Sequence, residues 1–371
     1  MTGRRLCWLG GWAYGDAMSH GETALSGRID AAIRGLTPGY FALVMATGIV
    51  SVSLRTTGWA LASTALLVIA AVAYLTLIAL TIVRAVRHRD AMAADFADPA
   101  RSFGFFTFVA ATCVLGSRLT LSGWHAPALI LLLVGAIAWI VLGYTVPWTA
   151  VIGRSDPTAL GTANGTWFIW AVASQSIAVL AATLEAELNV ARTAMALLAV
   201  FSWSVGVFLY CAVGVLIGVR MLAHPFRPED LTPPYWVAMG ATAITVVAGA
   251  RIVMMADAPM VDATRGLIAG ASVFFWAFGT WLIPPLIAAG YWKHVRHRIP
   301  LRYEATLWSI VFPLGMYGVG SQFLGEVDRL PIVHAIGFGE SWLALAAWAA
   351  TFVAMLVNVW RRVLRPAGDP R

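Results

Sequence analysis

Ten apolar segments, each long enough to cross a bilayer, occupy most of this chain and leave little else to fold. They run over 38–56, 60–83, 103–121, 127–152, 164–184, 194–219, 234–254, 266–291, 304–325 and 340–360. A spanning helix needs ~20 apolar residues. Inside lipid every backbone N–H and C=O must be bonded within the segment, so each run is predicted to be a transmembrane helix. Charged residues make up 12% of the chain and the mean hydropathy is +0.78, whereas soluble domains carry ~25% charged residues. The expected organisation is therefore one membrane domain over 35–362, between a disordered cytoplasmic tail at 1–34 and a second cytoplasmic tail at 363–371.

The formal charge is +7, and all the basic residues except Lys293 are arginines. They sit in short loops between apolar runs, which points to membrane orientation rather than nucleic-acid binding. Nineteen of the Arg and Lys residues lie in the two tails or in loops after even-numbered segments, and six (Arg55, Arg118, Arg192, Arg251, Arg265, Arg329) lie at the opposite ends. That bias predicts both termini in the cytoplasm of a multi-pass plasma (inner) membrane protein.

The segments fall into two populations. Even segments are plain Leu, Ile, Val and Ala; odd ones mix aromatics with Gly, Ala, Ser and Thr. The odd helices are expected inside and the even ones outside, facing lipid, although small residues also mark ordinary helix packing. The odd segments also repeat a pattern of two aromatics, four residues, Ala, then Ser or Thr. It occurs as Tyr40-Phe41 with Ala46-Thr47, Phe105-Phe106 with Ala111-Thr112, Trp167-Phe168 with Ala173-Ser174, and Tyr235-Trp236 with Ala241-Thr242. In segment nine the best match puts Phe312 at the second aromatic and Tyr317-Gly318 at the Ala-Ser/Thr position. Fixed-period self-similarity of this kind signals a repeat architecture. The fold class expected is all-α integral membrane, with ten helices as five hairpins in a quasi-five-fold ring around a central pore. The pore-lining candidates are Phe41, Thr47, Phe106, Thr112, Phe168, Ser174, Trp236, Thr242 and Gly318.

No Asp or Glu lies in the middle of an odd segment. Embedded carboxylates are the usual proton relays and cation sites, so cation transport and obvious proton coupling are disfavoured. Arg55, Arg118 and Arg251 end three of the odd segments and are candidates for attracting anions to a pore mouth; snorkelling to the interface is the alternative. The Thr and Ser hydroxyls could donate to a passing anion, or bond their own helix carbonyl four residues back. Pro313 is expected to kink segment nine. Phe312 before it is either a plug projecting into the passage or a packing side chain.

Enzymatic and redox chemistry finds little support. The histidines all lie in loops, tails or segment edges, which excludes the paired mid-membrane ligands of a haem electron carrier. Cys7, Cys113 and Cys211 form no metal-type or disulfide spacing. Neither GxSxG, HExxH nor a P-loop occurs. No cofactor, no metal and no catalytic residue is expected.

The chain resembles the tellurite-resistance/C4-dicarboxylate transporter family, which includes the slow-type anion channels of plant guard cells and fungal malate and sulfite transporters. The resemblance lies in Pro38–Gly48, in Phe105–Val109 with Leu115-Gly116-Ser117-Arg118, in Asn164–Trp167 and in Trp308–Gly315, and covers roughly residues 35–360. It implies ten helices in five hairpins around a pore, assembly as a homotrimer, and anion movement without ATP. It also implies that Phe312 is the gate. The function expected is an anion channel or facilitator for chloride, nitrate, malate, sulfite or a similar anion. A coupled C4-dicarboxylate or sulfite transporter is the alternative.

Overall fold

The computed structural model describes residues 25–149, 157–188, 191–256 and 258–365. Ten helices in it are long and apolar enough to span a membrane: α1 (Pro38–Thr56), α2 (Ala60–Arg87), α3 (Ser102–Thr120), α4 (His125–Pro147), α5 (Gly165–Glu185), α6 (Arg192–Ala223), α7 (Pro233–Val253), α8 (Pro259–Arg296), α9 (Ala305–Val327) and α10 (Pro331–Leu364). Two of them begin well before the apolar runs suggest. Pro259 and Pro331 open α8 and α10, because proline at the first helical position lacks only an N–H that would have been unpaired there. Glu340 thereby lies inside α10 rather than at its edge.

Of the expected tail at 1–34, residues 1–24 lie outside the described residues, while 25–34 form a helix. That helix is latched to the start of the membrane domain: Asp30 pairs with His88 at 3.1 Å, Arg34 pairs with Asp90, and Arg84 Nε donates to the Arg34 carbonyl at 3.1 Å. Arg84 is itself buried and pairs at 2.7 Å with buried Asp95 of a short helix, Arg89–Ala97.

Odd and even helices separate as their compositions predict. In the odd helices 78–89% of the most apolar 18-residue stretch is buried, against 11–28% in the even ones. Each helix packs on its hairpin partner. Among the inner helices α1 packs on α3, α3 on α5, α5 on α7, α7 on α9, and α9 returns to α1.

Each even helix also reaches the odd helix of the next hairpin through an aromatic donor. Tyr74 bonds Thr112 at 2.8 Å, Trp139 Nε1 donates to Ser174 at 2.8 Å, and Trp203 Nε1 to the Thr245 carbonyl at 3.1 Å. Trp276 Nε1 donates to Ser321 and Trp348 Nε1 to Thr47, both at 2.9 Å. Without water to compete, these polar contacts hold helices that lipid would otherwise solvate equally well.

Hairpin turns repeat as well. The Trp59, Trp124 and Leu330 amides bond the carbonyls five residues back, at 2.8, 3.1 and 2.8 Å, which is the outer bond of a Schellman helix end. The residue before each has positive φ: Gly58 (90°), Gly123 (80°) and Arg329 (55°).

Candidate functional site

A narrow cavity of about 30 Å³ lies among the five inner helices, and all five contribute to it. Its lining forms three levels. The first is Ile49, Val114, Ser176, Ile244 and Met316; the second is Val52, Ser117, Val179, Val247 and Val319; the third is Leu121, Thr183, Arg251 and Phe323. Within each helix the levels are spaced by three and then four residues, so they form one stripe on one face.

One turn below the first level, on the same stripe, stand Met45, Ala110, Val172, Gly240 and Phe312. All are buried. Phe312 is the largest side chain of this layer, ahead of Met45, with Ala, Val and Gly as the other counterparts. A Cβ on Gly240 would lie 2.8 Å from Pro313 Cγ, so the absent side chain on α7 makes room for the proline that follows Phe312.

The lining also fixes the register of the repeat. Counting eight residues back from the first level gives Phe41, Phe106, Phe168, Trp236 and Trp308. Trp308 is therefore the fifth copy of the second aromatic, and Phe312 stands one turn further on. Matching by residue type slipped here because Pro313-Leu314 replace the Ala-Ser/Thr pair that anchors the other four copies.

This register turns most of the hydroxyls away from the cavity. Thr47, Thr112 and Ser174 lie two residues before the first level, about 200° round the helix, and accept from the even-helix aromatics described above. Each also donates to its own helix, to the carbonyls of Leu43, Phe108 and Trp170. Thr242 donates to the Met239 carbonyl and abuts Gly279 of α8. Gly318 faces α10, where a Cβ would lie 3.3 Å from the Gly337 carbonyl. Among the aromatics, Phe41 meets Tyr74 at 6.1 Å and Phe168 meets Tyr210 at 5.4 Å, both on even helices, while Phe106 meets Phe103 and Trp170 at 6.2 Å. Trp236 borders a groove beside α8 and the start of α9.

The three arginines part company too. Arg55 is exposed. Arg118 is 1% exposed and spends its guanidinium on the hydroxyls of Ser51, Ser63 and Ser122, at 2.6–3.2 Å, between α1 and α2. Arg251 lines the cavity, with its guanidinium carbon 4.3 Å from the centre of the Phe323 ring. It has no ion-pair partner among the described residues.

The polar groups that do line the cavity are Ser117, Ser176 and Thr183, and each donates to its own helix carbonyl at 2.7–2.9 Å. Their protons are thereby committed to the helix, leaving Arg251 as the one cationic donor among the lining residues. No group of three or more potential metal ligands occurs among the described residues.

Sequence reasoning missed both the cavity stripe and the even-helix aromatics. Tyr74, Trp139, Trp203, Trp276 and Trp348 recur at 65, 64, 73 and 72 residues, a spacing present in the sequence but masked by the plain aliphatic background of the even segments.

Five membrane-crossing hairpins whose odd helices share a central cavity, with one cation and no carboxylate in its wall, define a polytopic membrane protein of the anion-transport class. The chain belongs to the voltage-dependent anion channel (SLAC1) family, whose model matches residues 35–356. It is similar to an uncharacterized transporter of Methanocaldococcus jannaschii, 26% identical over 88% of this chain and 94% of the relative. A second uncharacterized transporter of that organism is 27% identical over 61% of this chain and 64% of its own. An uncharacterized membrane protein of Mycobacterium tuberculosis is 72% identical over 149 residues, which are 40% of this chain and 76% of the relative.

Proposed function

We propose that the chain is an anion channel or facilitator whose passage runs between the inner helices and is closed by Phe312. The observation that carries this reading is a cavity lined at successive levels by all five inner helices, with a phenylalanine on the same stripe one turn below. Arg251 raises anion concentration in the cavity by adding a positive charge to a low-dielectric wall, with Glu326 near it but not in ion-pair contact. Hydroxyl protons committed to helix carbonyls and Ile, Val, Leu and Met walls replace little of an ion's hydration. The passage therefore favours anions that lose water cheaply: nitrate ahead of chloride, and both ahead of malate, whose second charge doubles the burden on one arginine. The arginine bias supports both termini in the cytoplasm, and family membership supports a homotrimer, each protomer with its own passage.

The test is anion efflux from proteoliposomes loaded with nitrate, chloride or malate, comparing wild type with Phe312→Ala and the milder Phe312→Leu. The expected result is a slow wild type, a much faster alanine variant and an intermediate leucine variant, with nitrate leading. Equal rates for all three proteins would remove Phe312 from the gate.

Glu340 supports a second reading, a coupled carrier of a C4-dicarboxylate or sulfite. It lies inside α10 with no hydrogen-bond or ion-pair partner among the described residues, and an intramembrane carboxylate is costly unless it is used. Uptake driven by a pH gradient alone, and abolished in Glu340→Gln, would favour the carrier over the channel.

A further inference from the structure

We propose that the groove between α2 and α10, at the end of the bundle that carries both chain ends, binds one anionic phospholipid. Arg28 and Arg362 would hold its phosphate, and an acyl chain would lie along Leu77, Leu80 and Met355. The groove has a volume of about 870 Å³. Apolar side chains of the two outer helices form its walls, α1 forms its floor at Tyr40 and Leu43, and the helix at 25–34 lies across its end. The site stands independently of any passage through the inner helices.

Three features at that end call for an acceptor. Arg28 lines the groove, and its Nη1 donates to the Arg365 carbonyl at 2.7 Å while its Nε has no partner, so a five-donor guanidinium has donors left to offer. Arg362, exposed and lining the same groove, has no ion-pair partner among the described residues. The third feature is a proton count. Tyr40 and Tyr303 share one hydrogen bond of 2.9 Å, and Trp308 Nε1 donates to the Tyr303 oxygen at 3.3 Å. Two phenolic protons serve one bond, so whichever tyrosine donates, the other keeps an O–H free, and both tyrosines line the groove. Burial pushes the Tyr303 phenol up, so that proton is retained.

Two guanidinium groups and a phenol therefore line the groove with one carboxylate, Glu304, beside walls that are apolar except for Thr76 and Asn358. A free phosphate would satisfy the donors but leave the apolar length empty, whereas a phospholipid fills both. Basic pockets between membrane helices at a leaflet surface suit anionic headgroups for this reason.

Native mass spectrometry tests the proposal, using the full chain incubated with equimolar phosphatidylglycerol and phosphatidylcholine in detergent. Wild type is expected to retain one phosphatidylglycerol per protomer, with a preference of roughly tenfold or more over phosphatidylcholine. Arg28→Gln/Arg362→Gln should lose the preference. Tyr40→Phe/Tyr303→Phe, which keeps every charge, should weaken it and covers the case in which the arginine variant folds poorly. Arg89→Gln, exposed on the short helix outside the groove, should match wild type. Equal retention of the two lipids by wild type overturns the proposal, as does an equal loss in Arg89→Gln. So does a wild-type groove that carries no lipid because a second copy or residues 1–24 cover it, seen as a change of oligomeric mass or of lipid retention on removing those residues.

Discussion

Arg118 and Arg251 show how little residue type says about role inside a membrane. Arg118 lies twelve residues after Phe106, and Arg251 fifteen after Trp236. Three residues turn a helix side chain through about 300°, enough to send Arg118 into a nest of serine hydroxyls and leave Arg251 in the cavity wall. Both end an odd segment, so the sequence weighed them alike, and only the register of the helix faces separates them. Arg251→Gln is predicted to slow anion efflux roughly tenfold at low salt. The gap to wild type should narrow as ionic strength rises and screens the charge, which efflux assays across a salt series would measure. An unchanged rate at low salt would mean that the arginine serves only its contact with Phe323. Phe312 was legible as a candidate through its motif, but its height in the bundle was not, because Pro313-Leu314 break the pattern used to align it.

At the scale of elements, the sequence read helix existence and burial class well and helix ends poorly. Proline-led starts at Pro259 and Pro331 lie outside the apolar runs, since the lipid-matched composition begins only after the first turns. The hairpin ends are a clearer case of local chemistry. Gly58 and Gly123 supply the positive φ that a Schellman end requires, while Arg329 takes the same conformation with a side chain attached. A non-glycine residue there costs roughly 1–2 kcal/mol, partly offset by the extra freedom glycine gives the unfolded chain. Arg329→Gly is therefore predicted to stabilise the protein by about 0.5 kcal/mol, seen as a higher unfolding midpoint in detergent, with no change in anion efflux.

On the scale of the whole molecule, the inner helices and the surface latch are separable. The cavity and the layer below it are built wholly from residues between Met45 and Phe323. The helix at 25–34 is tied on by Asp30–His88, Arg34–Asp90 and the Arg84 bond to the Arg34 carbonyl. Deleting residues 1–34 is predicted to leave the helical content and the anion efflux rate near wild type, checked by circular dichroism and proteoliposome efflux. The same deletion should lower phosphatidylglycerol retention, because it removes Arg28.

The sequence by itself determined that this chain spans a membrane ten times, which helices hide from lipid, and that a hairpin repeats along it. Those properties follow from composition and period, because lipid forces each apolar run into a helix bonded within itself. Only the tertiary structure decided which face of each inner helix turns to the centre. In lipid there is no hydrophobic drive to orient a face. The choice was made by packing and hydrogen bonds between distant segments: the even-helix aromatics that draw Thr47, Thr112 and Ser174 outward, and the fit of Pro313 into the space left by Gly240.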